Sequence, residues 1–161
     1  MKVLLERGVP LTCLNLIHKE LSSYGLNPSY YSCSINKPTD MNELSLWISS
    51  RFKDKVLLLT RSQIKSKSSD TAIEYKGIAD NLDGNIAVVS YSTSGQLPSI
   101  CLHELFHLAG ITHCYNMECI MSLRLIDGEL KYYLTDLKVS ETVPICKRCD
   151  KLWKRKMKRL N

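Results

Sequence analysis

At 161 residues and 44% apolar composition, the chain can bury one ordinary hydrophobic core and gives no reason to expect two independent domains. Its longest apolar stretches, such as Val56-Leu57-Leu58-Leu59, are far too short to cross a bilayer, and residues 1–7 are too brief for a signal-peptide core, so a cytoplasmic protein without membrane contact is expected. The net charge of +6 is concentrated: residues 147–159 hold eight Lys or Arg against one Asp, which is +7 and leaves the rest of the chain at −1. The bland account of that basic run is the solvated face of a terminal helix, and it is preferred here to a nucleic-acid surface.

Pro10 opens a segment with apolar residues at Leu11, Leu14, Ile17, Leu21 and Tyr24, closed by Gly25, which predicts an amphipathic helix. Tyr31, Cys33 and Ile35 alternate with serines as in a half-buried strand, and Pro38 ends it. Asp40 and Glu43 then form a capping-box pattern for a second helix running to about Phe52. Val56 to Thr60 reads as a buried strand, and Lys65 to Asp70 as a polar loop. The pair Asp83-Gly84 reads as a turn between strands Tyr75 to Asp80 and Asn85 to Ser90. Strands alternating with helices, followed by a hairpin, predict an α/β layer structure with a mixed sheet.

Residues 103–113 read His-Glu-Leu-Phe-His-Leu-Ala-Gly-Ile-Thr-His. His103 and His107 are four apart, so on a helix they lie on one face and both imidazoles can reach one ion. Gly110 can take the left-handed conformation that ends the helix and turns the chain, bringing His113 back as a third ligand. Structural zinc sites are closed by four protein ligands, whereas catalytic ones keep a position for water; three histidines leave that position. Glu104 lies beside the first ligand as the proton acceptor for a water whose pKa the metal lowers to about 7. The combination points to peptide hydrolysis.

Directly after His113 come Cys114 and Cys119, and later the pair Cys146 and Cys149. Without a secretory segment, seven cysteines suggest metal binding or burial rather than disulfides. The C-x-x-C pair has zinc-knuckle spacing, and four thiolates would close a structural site that pins the C-terminal segment to the catalytic loop. Cys13, Cys33 and Cys101 fall at apolar positions and read as ordinary buried thiols, and His18 reads as a surface residue.

Taken in order, His103-Glu104, His107, Gly110, His113-Cys114, Cys119-Ile120-Met121 and Cys146 to Cys149 resemble the archaemetzincin pattern, over about the last third of the chain. The resemblance implies a metzincin-like α/β fold: a mixed twisted sheet with helices, an active-site helix, and a small C-terminal subdomain tied by a four-cysteine zinc. It implies two zinc ions per chain, one catalytic on the three histidines and one structural on the four cysteines, and Met121 in the Met-turn under the histidine rings. On this reading residues 1–161 form one metallopeptidase domain, with 1–110 as its N-terminal and 111–161 as its C-terminal subdomain, acting as a monomer on a peptide or protein substrate. The stretch Ser122 to Ile145 is longer than the family usually shows and carries an Asp127-Gly128 turn signal.

An extended peptide is expected to pair with an exposed sheet edge, assigned from sequence to Asn85–Ser90. Tyr132 and Tyr133 read as packing residues rather than oxyanion donors. Aminopeptidase and endopeptidase action stay open. The competing function is a zinc-stabilised binding module whose basic tail contacts nucleic acid without proteolysis; Glu104 argues against it, because a structural site needs no carboxylate beside its first ligand.

Overall fold

Strand β1 (Lys2–Glu6) forms from the short apolar start of the chain in the computed structural model, which describes residues 1–34, 39–62, 64–66, 73–75, 77–80, 83–91, 97–126, 129–132 and 144–160. β1 pairs in parallel with β2 (Ser29–Cys33) on one side and β4 (Val56–Thr60) on the other, and β4 pairs in parallel with β8 (Ile86–Ser90). Parallel neighbours need crossovers: helix α1 (Leu11–Ser23) joins β1 to β2 and helix α2 (Met41–Ser49) lies between β2 and β4, whereas among the described residues no helix lies between β4 and β8. β7 (Gly77–Ala79) lies antiparallel to β8 and is, among the described residues, the last strand of the sheet, whose order is β2-β1-β4-β8-β7. The predicted mixed α/β sheet is therefore present.

β4 and β8 are buried at every position because helices cover both faces. Leu57, Leu59, Ala87 and Val89 point to one side and pack with Ile17 and Leu21 of α1 and with α3 (Leu97–Leu108). Val56, Leu58, Ile86 and Val88 point to the other and pack with Leu44 and Ile48 of α2. The period-2 alternation of a strand thus feeds two apolar layers from one sequence run.

Several predicted elements shift. α1 buries Cys13, Ile17 and Leu21, spaced four apart, while Leu11 is 76% exposed. Apolar residues occupy more than one stripe of this helix, and the position of the sheet selects which is covered. α2 begins as predicted, with the Asp40 carboxylate accepting the N–H groups of Asn42 at 3.0 Å and Glu43 at 3.3 Å. It ends at Ser49 rather than Phe52, although the Phe52 N–H still reaches the Ile48 carbonyl. The predicted strand Tyr75 to Asp80 is two strands: Tyr75 ends β6 (Ile73–Tyr75), which joins β3 (Thr39–Asp40) and β5 (Ile64–Ser66) in a separate sheet, and β7 begins at Gly77. β5 also takes the start of the predicted Lys65 to Asp70 loop; positions 67–70 lie outside the described residues, as do Ile35 and Pro38.

The largest correction concerns the proposed substrate edge. Asn85–Ser90 is not an edge, since β8 is paired on both sides and fully buried. Its run of small and branched apolar residues suits an interior strand.

After α3 the chain forms β9 (Leu123–Ile126) and β10 (Glu129–Tyr132), which pair antiparallel; the Asp127-Gly128 turn signal falls outside the described residues. α4 (Lys147–Lys156) and a 3-10 turn (Met157–Arg159) follow. α4 directs Cys149 and Trp153 inward and most of its basic residues outward, with an i,i+4 ion pair between Lys154 and Asp150. Trp153 stacks on Phe106 of α3 at 4.5 Å between ring centroids and donates its indole N–H to the Tyr24 carbonyl at 3.1 Å. Among the described residues no helix is long and apolar enough to cross a membrane.

Candidate active site and metal centres

The histidines meet because α3 stops where the sequence says it should. Gly110 has φ +75°, its N–H bonds to the His107 carbonyl, and the Ile111 N–H bonds to the Phe106 carbonyl. These two bonds are those of a Schellman motif, which turns the chain directly after the helix. Two lysines add to the cap: Lys55 Nζ donates to the Leu108 carbonyl at 2.6 Å and Lys156 Nζ to the Gly110 carbonyl at 2.5 Å. Cations at the negative end of the helix dipole are favourable, and the turn they fix returns His113 to the helix.

The three Nε2 atoms converge. His107 lies 3.1 Å from both His103 and His113, and His113 lies 3.4 Å from His103. The other ring nitrogens decide the proton positions. His103 Nδ1 is 2.9 Å from the Ile120 carbonyl and His107 Nδ1 is 3.0 Å from the Ile111 carbonyl. A carbonyl only accepts, so each Nδ1 carries the hydrogen and each Nε2 presents a bare lone pair. Burial, reinforced by the neighbouring imidazoles, holds His103 down at about 3 and His107 at about 4, so both rings are neutral at neutral pH; burial lowers His113 as well. Two lone pairs facing each other at 3.1 Å repel unless a cation lies between them. A tetrahedral ion with bonds of 2.0–2.1 Å would space its nitrogen ligands by about 3.3 Å, so this donor set fits zinc. His103 is buried, while His107 and His113 are half-buried, leaving the cluster accessible from one side.

Glu104 follows His103 on α3 and is only 6% exposed. Burial pushes its carboxyl up to about 8, and a hydrogen bond from the backbone of Ala79 on β7 works in the opposite direction. In the metal-free chain this is a carboxyl poised to exchange a proton near neutral pH.

The four cysteines singled out by spacing also come together: the Sγ atoms of Cys114, Cys119, Cys146 and Cys149 all lie within 4.8 Å of one another. The Cys146 N–H donates to Cys119 Sγ at 3.4 Å. Burial pushes the Cys119 thiol up to about 11 and Cys149 higher still, whereas Cys146 is lowered, against its own partial burial, by hydrogen bonds from Cys149 and the neighbouring thiols. Four converging sulfurs, one of them with its thiol pKa lowered, suit a tetrahedral ion with no open position. The two clusters share a loop. The Cys114 N–H bonds to the Met121 carbonyl, and Ile120, whose carbonyl orients His103, bonds through its N–H to the Pro144 carbonyl. Met121 is fully buried in the main core, next to Ile120.

Of the remaining candidates, Cys13 and Cys101 are core thiols and Cys33 is half-buried. His18 is on the surface against Tyr30 Oη at 2.9 Å. Tyr132 lies on β10 and Tyr133 lies outside the described residues. Sequence reasoning missed the contribution of β7, which packs on α3 beside Glu104; the available signal was Gly77 inside a strand, a mark of close approach. It missed the two lysines on the helix end altogether, because their partners are backbone carbonyls distant in sequence.

No family profile and no curated protein matches the sequence. Solved structures do. Archaemetzincin from Methanopyrus kandleri superposes with a TM-score of 0.73 at 20% identity, covering 99% of this chain and 96% of that one. A zinc-dependent peptidase from Methanocorpusculum labreanum gives 0.66 at 19% identity, covering 94% and 98%. Archaemetzincin from Archaeoglobus fulgidus, crystallised with malonate, gives 0.61 at 19% identity, covering 94% and 99%. The likeness reaches well beyond the motif-bearing third of the chain: nearly the whole of it has the archaemetzincin fold.

Proposed function

We propose that this chain is a zinc-dependent peptidase with His103, His107 and His113 as the ligands of a catalytic ion and Glu104 as the general base. The observation that carries the reading is the set of three converging Nε2 atoms, two of them stripped of hydrogen by the Ile120 and Ile111 carbonyls, with a buried carboxylate on the same helix. A zinc ion held there supplies Lewis acidity to a water and to the scissile carbonyl. Glu104 takes the proton of the attacking water and returns it to the departing amine. The half-buried His107 and His113 leave the side from which substrate enters. The three solved structures, named as archaemetzincins and a zinc-dependent peptidase, support the same chemistry.

A second ion on Cys114, Cys119, Cys146 and Cys149 is structural in this proposal, holding residues 111–161 as a subdomain against residues 1–110. An extended peptide pairs with β7 through the edge groups that Glu104 does not occupy; among the described residues β7 is paired with β8 alone.

The test is zinc content per chain together with hydrolysis of a mixed fluorogenic peptide library. Wild type is expected to hold two zinc ions and to cleave, Glu104→Ala to hold two and be inactive, and Cys146→Ser/Cys149→Ser to hold fewer. Undiminished cleavage by Glu104→Ala would remove the peptidase assignment.

A further inference from the structure

We propose that Gly77 is a positioning residue for Glu104: the missing side chain at Gly77 makes the space in which the carboxylate lies, and β7 holds it there. The inference rests on Glu104 being the general base. Gly77 sits opposite Val89 in the β7–β8 ladder, an extended backbone that any residue can adopt, so the requirement for glycine is one of space and not of conformation. A Cβ at this position would lie 2.9 Å from Glu104 Oε1 and 3.0 Å from its Cγ, and 2.6 Å from Ile100 Cγ2. Side-chain atoms at such distances must move. The Glu104 side chain is thus in van der Waals contact with the strand backbone over the width of one residue.

The second observation lies two residues along. Asp80 N–H bonds to the Ile86 carbonyl, so by the alternation of an antiparallel ladder the Asp80 and Ile78 amides face β8 while those of Gly77 and Ala79 face away from it. The outward amide of Ala79 bonds to the Glu104 carboxylate. The bare backbone at Gly77 and the donor at Ala79 together fix one orientation of a carboxylate that its helix alone leaves free to rotate.

The test compares wild type, Glu104→Ala, Gly77→Ala and Gly77→Ala/Ile100→Leu. The leucine removes the β-branch that the new methyl would strike. Three readouts are taken: zinc content with thermal stability, steady-state peptide hydrolysis, and exchange of the Ala79 amide in the metal-free protein. Gly77→Ala is expected to keep its zinc and lose roughly 10- to 100-fold in kcat, as a sub-ångström to ångström misplacement of a reacting group does. KM is expected to stay within about a factor of three, the split that separates a displaced base from a lost substrate contact. The Ala79 amide should exchange faster in Gly77→Ala and in Glu104→Ala, because both take its acceptor away. The double variant should recover stability without recovering kcat. Activity in Glu104→Ala would defeat the peptidase reading itself. An inactive Glu104→Ala beside wild-type kcat in Gly77→Ala, recovery of kcat by Ile100→Leu, or an Ala79 amide indifferent to Glu104→Ala would each overturn the role of Gly77.

Discussion

His103 and His107 each direct one ring nitrogen to a backbone carbonyl, and that choice commits the opposite nitrogen to the shared centre. The spacing of four was legible in the sequence, because helical geometry makes it a statement about one face. The carbonyls of Ile120 and Ile111 were not, since any residue carries a carbonyl and only the folded loop selects which. Glu104 and the imidazoles also set opposite pH dependences for the metal-free chain. The Glu104 carboxyl is raised from 4.5 to about 8, so the stability it contributes is complete below pH 4.5 and is lost as pH rises through 8. His103 and His107 are lowered from 6.5 to about 3 and about 4, so theirs is complete above pH 6.5 and is lost as pH falls through 4 and 3. With metal stripped, Glu104→Gln should therefore gain in melting temperature over wild type as pH rises from 4.5 to above 8. Parallel curves for the two proteins across that range would contradict the buried carboxyl.

At the scale of elements, the end of α3 and the docking of α4 decide whether the third histidine arrives. Gly110 has φ +75°, and a Cβ there would approach Lys156 Nζ to 3.1 Å and Asp83 to 3.2 Å. Gly110→Ala should cost about 1–2 kcal/mol for the left-handed backbone alone. It should also weaken zinc binding at the histidines, measured by competition with a chromophoric chelator, because His113 lies three residues beyond the turn. Trp153 is 2% exposed between Phe106 and Tyr24, one helical turn after Cys149. Trp153→Ala should lower unfolding stability by about 3–5 kcal/mol in a denaturant titration. The helix stop at Gly110 and the cap at Asp40 were readable because caps are local chemistry. The place of Asn85–Ser90 was not, because an apolar run of five fits any covered strand, and only β7 and β4 on either side show it to be interior. The split between Tyr75 and Gly77 escaped for a related reason: which sheet a short strand joins depends on partners far along the chain.

Across the whole molecule, one apolar cluster runs from Val3 of β1 through Ile17 and Leu102 to Met121, Cys149 and Leu160, so the C-terminal elements pack on the same core as α1 and α3. The α/β class was legible from the order of elements, while the strand order was not, since parallel crossovers leave no mark in local sequence. The four-cysteine cluster adds a tie of different kind. If it holds an ion, removing it should loosen residues 144–160 from the main core. Cys146→Ser/Cys149→Ser should then show a lowered melting temperature and increased susceptibility of residues 144–160 to limited proteolysis; an unchanged cleavage pattern would argue that packing at Trp153 holds the segment unaided.

Ile120 gives its carbonyl to His103 and takes the Pro144 carbonyl on its N–H, one residue away from Cys119. That placement imposes an order in time. If both centres hold zinc as proposed, a chelator should reach the three-histidine centre first, since its half-buried rings face the opening, and that loss should reverse on adding zinc back. The cysteine centre should empty more slowly, and once it does the loop that aims His103 loses one of its ties. Recovery of activity after chelation should consequently fall with exposure time even though every residue that touches the substrate is intact.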